Sequence, residues 1–392
     1  MNHLTQGILL LMKSAITGGK YELPDDSDLE QIYRAMARHN ILPMGYLGAR
    51  NCGVDRQNPV MQKFFLAYGK SLQISENQIA ALHKIYTALD AEKIDYMPVK
   101  GCNMKFRYPY PELRQMGDAD ILIRTDQYGS IREIMRKLGF TEGVESDHEL
   151  VWTSPALCVE FHKRLIPTYT KDYYRYYGDG WKLAARSEGT HFYMNSEDEF
   201  IYVFTHMAKH YRNGGIGFRQ VMDLWVLLRM YPDMDMDYIT GEMEKLSLSA
   251  FYENIRRTLD VWFGEREPDT VTDQITDYIY NSGCWGSMEK HEISSALENL
   301  KAKESTTESR FRWILQNTFP SVSRISVNYP IAGKYPFLLP AVWIWRWIDV
   351  ICTRPKKIRA KYRSARELTD KNLTDFQKSL HAVGLDFRFD EE

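Results

Sequence analysis

The chain has 392 residues and carries 50 Lys and Arg against 52 Asp and Glu; at about 100–200 residues per domain, this length predicts two or three domains. The near balance of charge excludes the strongly basic class of proteins that coat long nucleic acids. The five cysteines include no CxxC pair, which argues against a disulfide framework or a zinc ribbon and predicts a reducing, cytoplasmic location.

The amino-terminal segment has a helical pattern. The apolar run 8–12 has no basic segment before it and no small-residue cleavage site after it, so it predicts an ordinary helix and not a signal peptide. Apolar residues at three- and four-residue spacings predict a helix over 28–39 and a long amphipathic helix over 57–91. We therefore expect an amino-terminal helical layer at residues 1–92.

Short strands replace the helical pattern after this layer. Four segments predict strands, with a helix over 126–138 between the second and the third. The strand segments are 95–99, 119–123, 149–152 and 157–162. This arrangement predicts an α/β core over residues 93–195.

Helical patterns return in the second half of the chain, at 198–211, 217–230, 237–247 and 250–263. The stretch 265–309 is polar and variable in pattern, and we expect it to be a surface excursion and not part of the core. The sequence therefore predicts a helical domain over residues 196–392.

The end of this domain has an unusual composition. Trp343, Trp345 and Trp347 precede seven Lys and Arg residues in 354–366, with no acid among them. Membrane-surface helices use this pattern, so one interpretation is a peripheral membrane contact through residues 343–366. The other is a helix packed on its own domain with a solvated basic end. The longest apolar stretch, 337–345, is far shorter than the roughly 20 residues of a membrane span, so no transmembrane segment is predicted.

Two acids lie two residues apart at the start of a predicted strand, Asp118 and Asp120. Because successive strand side chains alternate between faces, both carboxylates point the same way while Ala119 and Ile121 enter the core. Two like charges in one place are costly unless a cation neutralises them, and oxygen clusters suit Mg²⁺ or Mn²⁺. The alternative is a pair of exposed acids at the end of a strand. Glu160 in the last predicted strand would join the two acids if the strands are neighbours.

A strand, a glycine and a short helix meet at Lys100-Gly101-Cys102. Backbone N–H groups at such a junction can hold phosphate. Four cations add positive charge around it: Lys100, Lys105, Arg107 and Arg114. Together these residues predict a site for the phosphates of a nucleotide.

Histidines accompany both halves of the predicted cleft. His162 shares a strand face with Glu160, where it could orient a metal ligand, act as a general base, or be a polar residue at the cleft edge. His206 and His210 share a helix face and could bind zinc, but no Glu follows the first His, so partly buried histidines near the cleft are the competing interpretation.

Two cations of the helical half are also candidates for phosphate binding. Lys209 and Arg219 could face the phosphates of a nucleotide. Arg219 and Asp223, four residues apart, could instead form a helix ion pair.

Three segments carry a resemblance to a known family: Pro98-Val99-Lys100-Gly101, the run 113–123, and Val159-Glu160-Phe161-His162. They resemble the uncharacterised bacterial nucleotidyltransferase-like family of the DNA polymerase beta superfamily. The similarity extends to 205–210, 218–224, 319–320, 329–330 and 339–343, and so covers about 90–350. It implies a nucleotidyltransferase fold of the α+β class, a mixed sheet with flanking helices. It also implies that the metal-binding, catalytic acids are Asp118, Asp120 and Glu160.

The function expected from these features is transfer of a nucleotidyl group from an NTP to an unidentified acceptor by a two-metal mechanism, with Mg²⁺ or Mn²⁺ as cofactor. The predicted nucleotide-binding residues are Lys100, Gly101, Cys102, Arg114 and Lys209. A small molecule, a sugar or a protein is favoured over nucleic acid as the acceptor, because the chain lacks a net positive charge.

Two alternatives stand beside this expectation. In the wider superfamily the glycine is usually followed by Ser, so Cys102 favours a catalytically inactive nucleotide-binding or regulatory module. The segment 343–366 favours a membrane-peripheral protein of cell-surface polymer synthesis.

Overall fold

A computed structural model describes residues 1–146, 148–168, 170–284, 286, 290–291, 293–294, 315, 318–325, 329–353 and 370–386. The basic segment 354–366 lies outside the described residues.

Four helices form the amino-terminal part: α1 (His3–Thr17), α2 (Leu29–Arg38), α3 (Leu42–Asn51) and α4 (Pro59–Ala91). The side chain of Asp28 caps α2 by accepting hydrogen bonds from the backbone of Glu30 and Gln31. The predicted helices over 28–39 and 57–91 are therefore confirmed.

Helix α3 is the amino-terminal helix that the sequence did not predict. It is short, and its two glycines weaken the helical signal. One of them, Gly48, has a packing role, because a Cβ there would lie 2.1 Å from the carbonyl oxygen of Leu11 in α1. The glycine therefore lets α1 and α3 approach closely.

A five-stranded mixed sheet follows, in the order β1-β2-β5-β4-β3. Its strands are β1 (Tyr96–Val99), β2 (Asp118–Ile123), β3 (Thr141–Glu145), β4 (Glu149–Thr153) and β5 (Cys158–His162). The neighbours β2 and β5 are parallel, and the other neighbouring strands are antiparallel. Two helices accompany the sheet, α5 (Gly101–Met104) after β1 and α6 (Tyr128–Lys137) after β2. The four predicted strands are confirmed, and they form the mixed sheet that the resemblance implied.

The edge strand β3 was not predicted. Its sequence is polar and mostly exposed, so it lacks the apolar alternation of a half-buried strand. It pairs with β4 on one side, and Glu142 forms ion pairs with Arg132 and Arg136 of α6 at 2.8 and 2.6 Å. Backbone pairing and surface charge, not burial, hold this strand.

The second half of the chain is mainly helical. A small sheet of β6 (Ala185–Arg186) and β7 (Phe192–Tyr193) lies between the first two of its helices. The helices are α7 (Lys171–Tyr177), α8 (Ser196–Arg212), α9 (Phe218–Met230), α10 (Met236–Lys245), α11 (Ser249–Phe263) and α12 (Thr270–Ser282). Later helices are Val322–Ile325, Pro330–Lys334, Leu339–Thr353 and Asp370–Ala382. Short 3₁₀ segments cover Lys105–Arg107, Pro111–Leu113, Thr125–Gln127, Trp181–Leu183 and Pro336–Leu338.

Helix α12 corrects the expectation that 265–309 is only a surface excursion. Asp269 caps its first turn, and Ile275 and Ile279 are fully buried. The expectation was wrong for this helix because threonines supply part of its buried face. One of them, Thr276, accepts a hydrogen bond from the indole of Trp262 at 2.9 Å.

The two faces of the main sheet belong to two different cores among the described residues. Ile121 of β2 packs in a core formed by the sheet, α6 and the end of α4. Its neighbour Leu122 packs in a larger core that also contains α1, α2 and α8 to α11. The first helices of the chain therefore share a core with the helical half. The division into 1–92, 93–195 and 196–392 stays a prediction.

The helix Leu339–Thr353 carries the three tryptophans of the unusual segment. The indoles of Trp343 and Trp347 donate to the carbonyls of Pro320 and Thr318, both at 3.0 Å. Trp345 is 60% exposed. No helix in the described ranges combines the length and the apolar character needed to cross a bilayer.

Candidate active site

The parallel pairing of β2 and β5 brings the three predicted acids to one place. The Cα of Asp120 lies opposite that of Glu160, and Asp118 lies two residues earlier on the same strand face. Ala119 and Val159, which point to the other face, are fully buried. All three acids line one cavity.

Asp120 is the buried centre of this group. Its Oδ1 accepts hydrogen bonds from Lys100 Nζ and from His162 Nε2, both at 2.7 Å. Burial alone would raise the pKa of this carboxyl group, but Lys100 and His162 outweigh it and hold the pKa well below its usual value. The pKa of Lys100 stands above its usual value although burial opposes this, because Asp120 stabilises the ammonium. Asp120 is therefore ionised at neutral pH.

Asp118 and Glu160 have the opposite electrostatic surroundings. Burial and the charge of Asp120 raise the pKa of Asp118. Burial, and then the charges of Asp120, Glu149 and Asp118, raise the pKa of Glu160 to about 8. Glu160 Oε2 lies 3.6 Å from His162 Nε2. Three carboxyl groups are thus crowded along one wall of the cavity, where a divalent cation would stabilise their ionised forms.

The junction predicted to hold phosphate has a strained backbone. Lys100, between β1 and α5, has a φ of +51°, which is uncommon for a residue with a side chain. A Cβ on Gly101 would lie 2.9 Å from Cγ of Met116, so the glycine lets α5 pack against the segment that leads into β2. The Cys102 thiol is buried in the core between the sheet and α4. Lys100 and Gly101 line the cavity, whereas Cys102 is 1% exposed and is not among the lining residues.

Two of the cations predicted around this junction make their contacts elsewhere. Lys105 Nζ donates to Ser75 Oγ on α4 at 2.6 Å. Arg107 forms an ion pair with Glu199 on α8 at 2.9 Å. These contacts tie the segment after α5 to helices on both sides.

Arg114 lines the cavity, but its guanidinium group is engaged. Its Nε and Nη2 each lie 2.9 Å from an oxygen of Asp223 on α9, and its Nη1 donates to the Gln115 carbonyl at 2.8 Å. Tyr108 also donates to Asp223, at 2.7 Å. Arg219 donates to the same Gln115 carbonyl at 2.7 Å. Arg114 therefore anchors the segment before β2 to the helical half.

Helix α8 supplies the opposite wall of the cavity, lined by His206, Lys209 and His210. The Nε2 atoms of the two histidines lie 3.1 Å apart. Burial and the ammonium of Lys100 lower the pKa of Lys209 to about 8. The cavity volume is about 300 Å³, at the lower end of the roughly 300–1,000 Å³ typical of small-molecule sites.

Sequence reasoning missed two residues of this site, His148 and Glu149. His148 Nε2 lies 3.2 Å from His162 Nδ1, and Glu149 Oε2 lies 3.8 Å from the same nitrogen. The sequence contained a signal for Glu149. The strands β4 and β5 are antiparallel and joined by a tight turn at 154–157, so counting residues outward from this turn pairs Glu149 with His162.

Two groups of side chains in the described part of the chain are compact enough to hold a metal ion. Within each group the ligand atoms all lie within 4.8 Å of one another. The groups are Asp120, Glu160 and His162, and His148, Glu149 and His162. Asp118 is in neither group, although it lines the same cavity.

Comparison with known proteins places this geometry in context. The sequence model of a family described as "Uncharacterised nucleotidyltransferase" matches residues 25–264. No functionally curated protein matches the chain. Among solved structures, the solution structure of the antibiotic-resistance factor ANT(2'')-Ia is similar over 47% of this chain and 96% of that chain, with 13% sequence identity and a TM-score of 0.32.

Proposed function

We propose that this chain transfers nucleotidyl groups, because it belongs to the uncharacterised nucleotidyltransferase family, whose sequence model matches residues 25–264. The predicted family and its nucleotidyltransferase fold are thereby confirmed. The match begins earlier in the chain than the predicted resemblance and ends before the tryptophan-containing helix. In our proposal the protein moves a nucleotidyl group from an NTP to an acceptor hydroxyl or phosphate.

The observation that carries the proposal is the register of β2 and β5. It sets Glu160 directly beside Asp120, with Asp118 on the same face. Three acids from two neighbouring strands on one cavity wall form an arrangement that suits divalent cations in phosphoryl chemistry. A single Asp-x-Asp pair on an exposed strand would not support the same conclusion.

The donor atoms fit Mg²⁺ or Mn²⁺. Both hydrogen bonds to Asp120 fall on Oδ1, so within the described structure Oδ2 is available to a cation. The raised pKa values of Asp118 and Glu160 reflect burial first and then repulsion between the acids, and a bound cation would offset both. When bound, such ions activate the acceptor oxygen and neutralise charge on the leaving pyrophosphate.

The chain's own groups would bind and orient the substrates. His162 fixes the Asp120 carboxylate by its hydrogen bond to Oδ1. Lys209, on the opposite wall, supplies a cation for the triphosphate, and Gly101 lines the same cavity as the acids. The acceptor would enter from the side of the cavity formed by the helical half. We propose a small molecule, a sugar or a protein as the acceptor, since the chain has a net charge of -2.

The test is an assay of the purified chain with each labelled NTP, Mg²⁺ or Mn²⁺, and a cell extract as the source of acceptor. We expect pyrophosphate release and a labelled product. Glu160→Gln should reduce the rate by at least about 100-fold while nucleotide affinity changes little, because it removes a cation ligand and not a nucleotide contact. Glu145→Gln, in the exposed edge strand of the same sheet, is the matched control. Wild-type turnover in Glu160→Gln would refute the assigned role.

A second candidate is nucleotide binding without chemistry. It is favoured by the Lys100–Asp120 ion pair, which already gives Asp120 a counter-charge, and by the buried thiol where relatives of the wider superfamily usually have a serine hydroxyl. A metal titration separates the candidates, because a binding module would take up nucleotide but show no metal-dependent pyrophosphate release.

We also propose peripheral membrane contact for the helix Leu339–Thr353. Ile344, Trp345 and Ile348 are each more than half exposed on it, and Phe337 just before it is 77% exposed. The basic segment that follows in the sequence would add attraction to anionic lipid. Cosedimentation with phosphatidylserine vesicles should be lost in Trp345→Ser and at high salt. Binding that persists in both cases would contradict the contact.

A further inference from the structure

The ring of His162 lies between two sets of ligand atoms. Its Nε2 faces Asp120 Oδ1 at 2.7 Å and Glu160 Oε2 at 3.6 Å. Its Nδ1 faces His148 Nε2 at 3.2 Å and Glu149 Oε2 at 3.8 Å. The second set is not used by the nucleotidyl-transfer proposal.

The hydrogen bond to Asp120 determines which nitrogen of His162 has a free lone pair. An ionised carboxylate can only accept, so Nε2 of His162 must carry the hydrogen in this contact. In the neutral ring Nδ1 is then unprotonated, with its lone pair directed at His148 and Glu149. Histidine ligands of metal ions commonly donate their other ring N–H to a carboxylate in this way.

The distances fit one metal ion with nitrogen ligands. Two nitrogens bound at about 2.0–2.1 Å to a tetrahedral zinc ion lie about 3.3–3.4 Å apart. His148 Nε2 and His162 Nδ1 are 3.2 Å apart. Glu149 Oε2 would have to approach His162 Nδ1 by about half an ångström to reach the same spacing, and the three ligand atoms all lie within 4.8 Å of one another.

The backbone holds these ligands in register. Glu149 of β4 lies opposite His162 of β5 in the antiparallel pair. His148 precedes Glu149, and its carbonyl accepts a hydrogen bond from the backbone of Lys163 at 2.9 Å. His162 is 2% exposed, so its ring position is fixed by packing.

We propose that His148 Nε2, Glu149 Oε2 and His162 Nδ1 bind a transition-metal ion such as Zn²⁺, at a site separate from the Mg²⁺ or Mn²⁺ ligands Asp118, Asp120 and Glu160. Two imidazoles and one carboxylate are a ligand set that zinc uses with an open fourth position. Mg²⁺ prefers oxygen ligands, so it would not compete well for two nitrogens. This site does not depend on nucleotidyl transfer, and the chain would bind its ion there even without transferase activity.

The experiment uses Co²⁺ as a spectroscopic probe of the full chain, in buffer with excess Mg²⁺. We expect one Co²⁺ per chain with visible d–d absorption and no thiolate charge-transfer band, and Zn²⁺ should displace it. His148→Ala should weaken binding by at least about 100-fold, since removal even of groups supporting a metal ligand costs about 10–100-fold. Glu149→Gln should weaken it less. Thermal melting in metal-free buffer checks that each variant folds.

Two further variants localise the ion. His83→Ala, on the exposed face of α4, is the remote histidine control and should leave Co²⁺ affinity unchanged. His210→Ala tests the other close histidine pair of the cavity and should also leave it unchanged. Full Co²⁺ affinity in folded His148→Ala, a thiolate band, or loss of binding in His210→Ala would each overturn the proposed site.

Discussion

Asp118 and Asp120 are two residues apart on one strand face, yet their carboxyl groups have pKa values shifted in opposite directions. Asp120 has a buried ammonium and an imidazole as partners, whereas burial and the charge of Asp120 raise the pKa of Asp118. The alternation of strand side chains predicted that the two acids share a face. It could not predict the Lys100 partner, because the contact depends on the conformation of a residue twenty positions away.

This difference leads to a prediction for the two asparagine variants in metal-free buffer. Asp120→Asn leaves the Lys100 ammonium, whose side chain is 18% exposed, without its counter-charge, so we expect a loss of about 2–4 kcal/mol of unfolding free energy. Asp118→Asn removes a repelled charge and should leave stability level or raise it. Urea denaturation of both variants measures this. Equal losses in both would mean that the two acids have the same structural role.

The raised pKa of Glu160 predicts that the stability of the folded chain depends on pH. In the folded chain its pKa is about 8, whereas an unfolded glutamate titrates near pH 4.3. The folded state therefore binds more protons between these values, and stability falls as the pH rises through this window. In metal-free buffer Glu160→Gln should be more stable than the wild type by roughly 2–4 kcal/mol at pH 9 and differ little at pH 4. A difference that does not change with pH would contradict the raised pKa.

At the scale of elements, the sequence predicted those with strong periodicity. The long helix α4 and the apolar strand β2 have clear patterns and few competing signals. The edge strand β3 and the helix α12 were not predicted, because pairing with β4 and threonine-rich packing on α11 stabilise them. Such stabilisation comes from neighbours in space and leaves little trace in local sequence.

The ion pair between Arg114 and α9 gives a prediction at this scale. Both partners are almost fully buried, with side-chain exposures of 9% and 4%. Arg114→Ala leaves the buried Asp223 carboxylate without its ion-pair partner. We expect it to lower the free energy of unfolding by about 3–5 kcal/mol, measured by urea denaturation. The double variant Arg114→Met, Asp223→Leu should recover most of this loss. If Arg114→Ala instead kept full stability and lost nucleotide affinity, Arg114 would bind phosphate as the sequence predicted.

At the scale of the whole molecule, the candidate site joins two parts of the chain that sequence patterns kept separate. The acids come from the sheet, and Lys209 comes from α8. The motifs predicted both sets of residues, but only the fold shows that they face one cavity. The shared core of the first helices and the helical half was not predicted, because helical periodicity shows which face is buried but not its partner.

This arrangement predicts a salt-dependent role for Lys209. Lys209→Ala should weaken NTP·Mg²⁺ binding by about tenfold at low ionic strength, and the difference should shrink at high salt, because the Lys209 side chain is only partly buried and salt screens its charge. Calorimetry at two salt concentrations measures this. Lys70→Ala on the exposed face of α4 is the control. An equal effect of both lysines would indicate a general charge effect and not a contact across the cavity.

The burial of Cys102 has a consequence for observing the site at work. Its thiol lies behind the Lys100–Gly101 junction, in the core under the sheet, and burial raises its pKa, so a modifying reagent can reach it only when α5 lifts away. Cys352 is exposed and should react at once. The rate at which Cys102 is alkylated would therefore report how often the junction opens. A nucleotide bound against that junction should slow the alkylation. Cys102 thus provides a native reporter of ligand binding, without any engineered label.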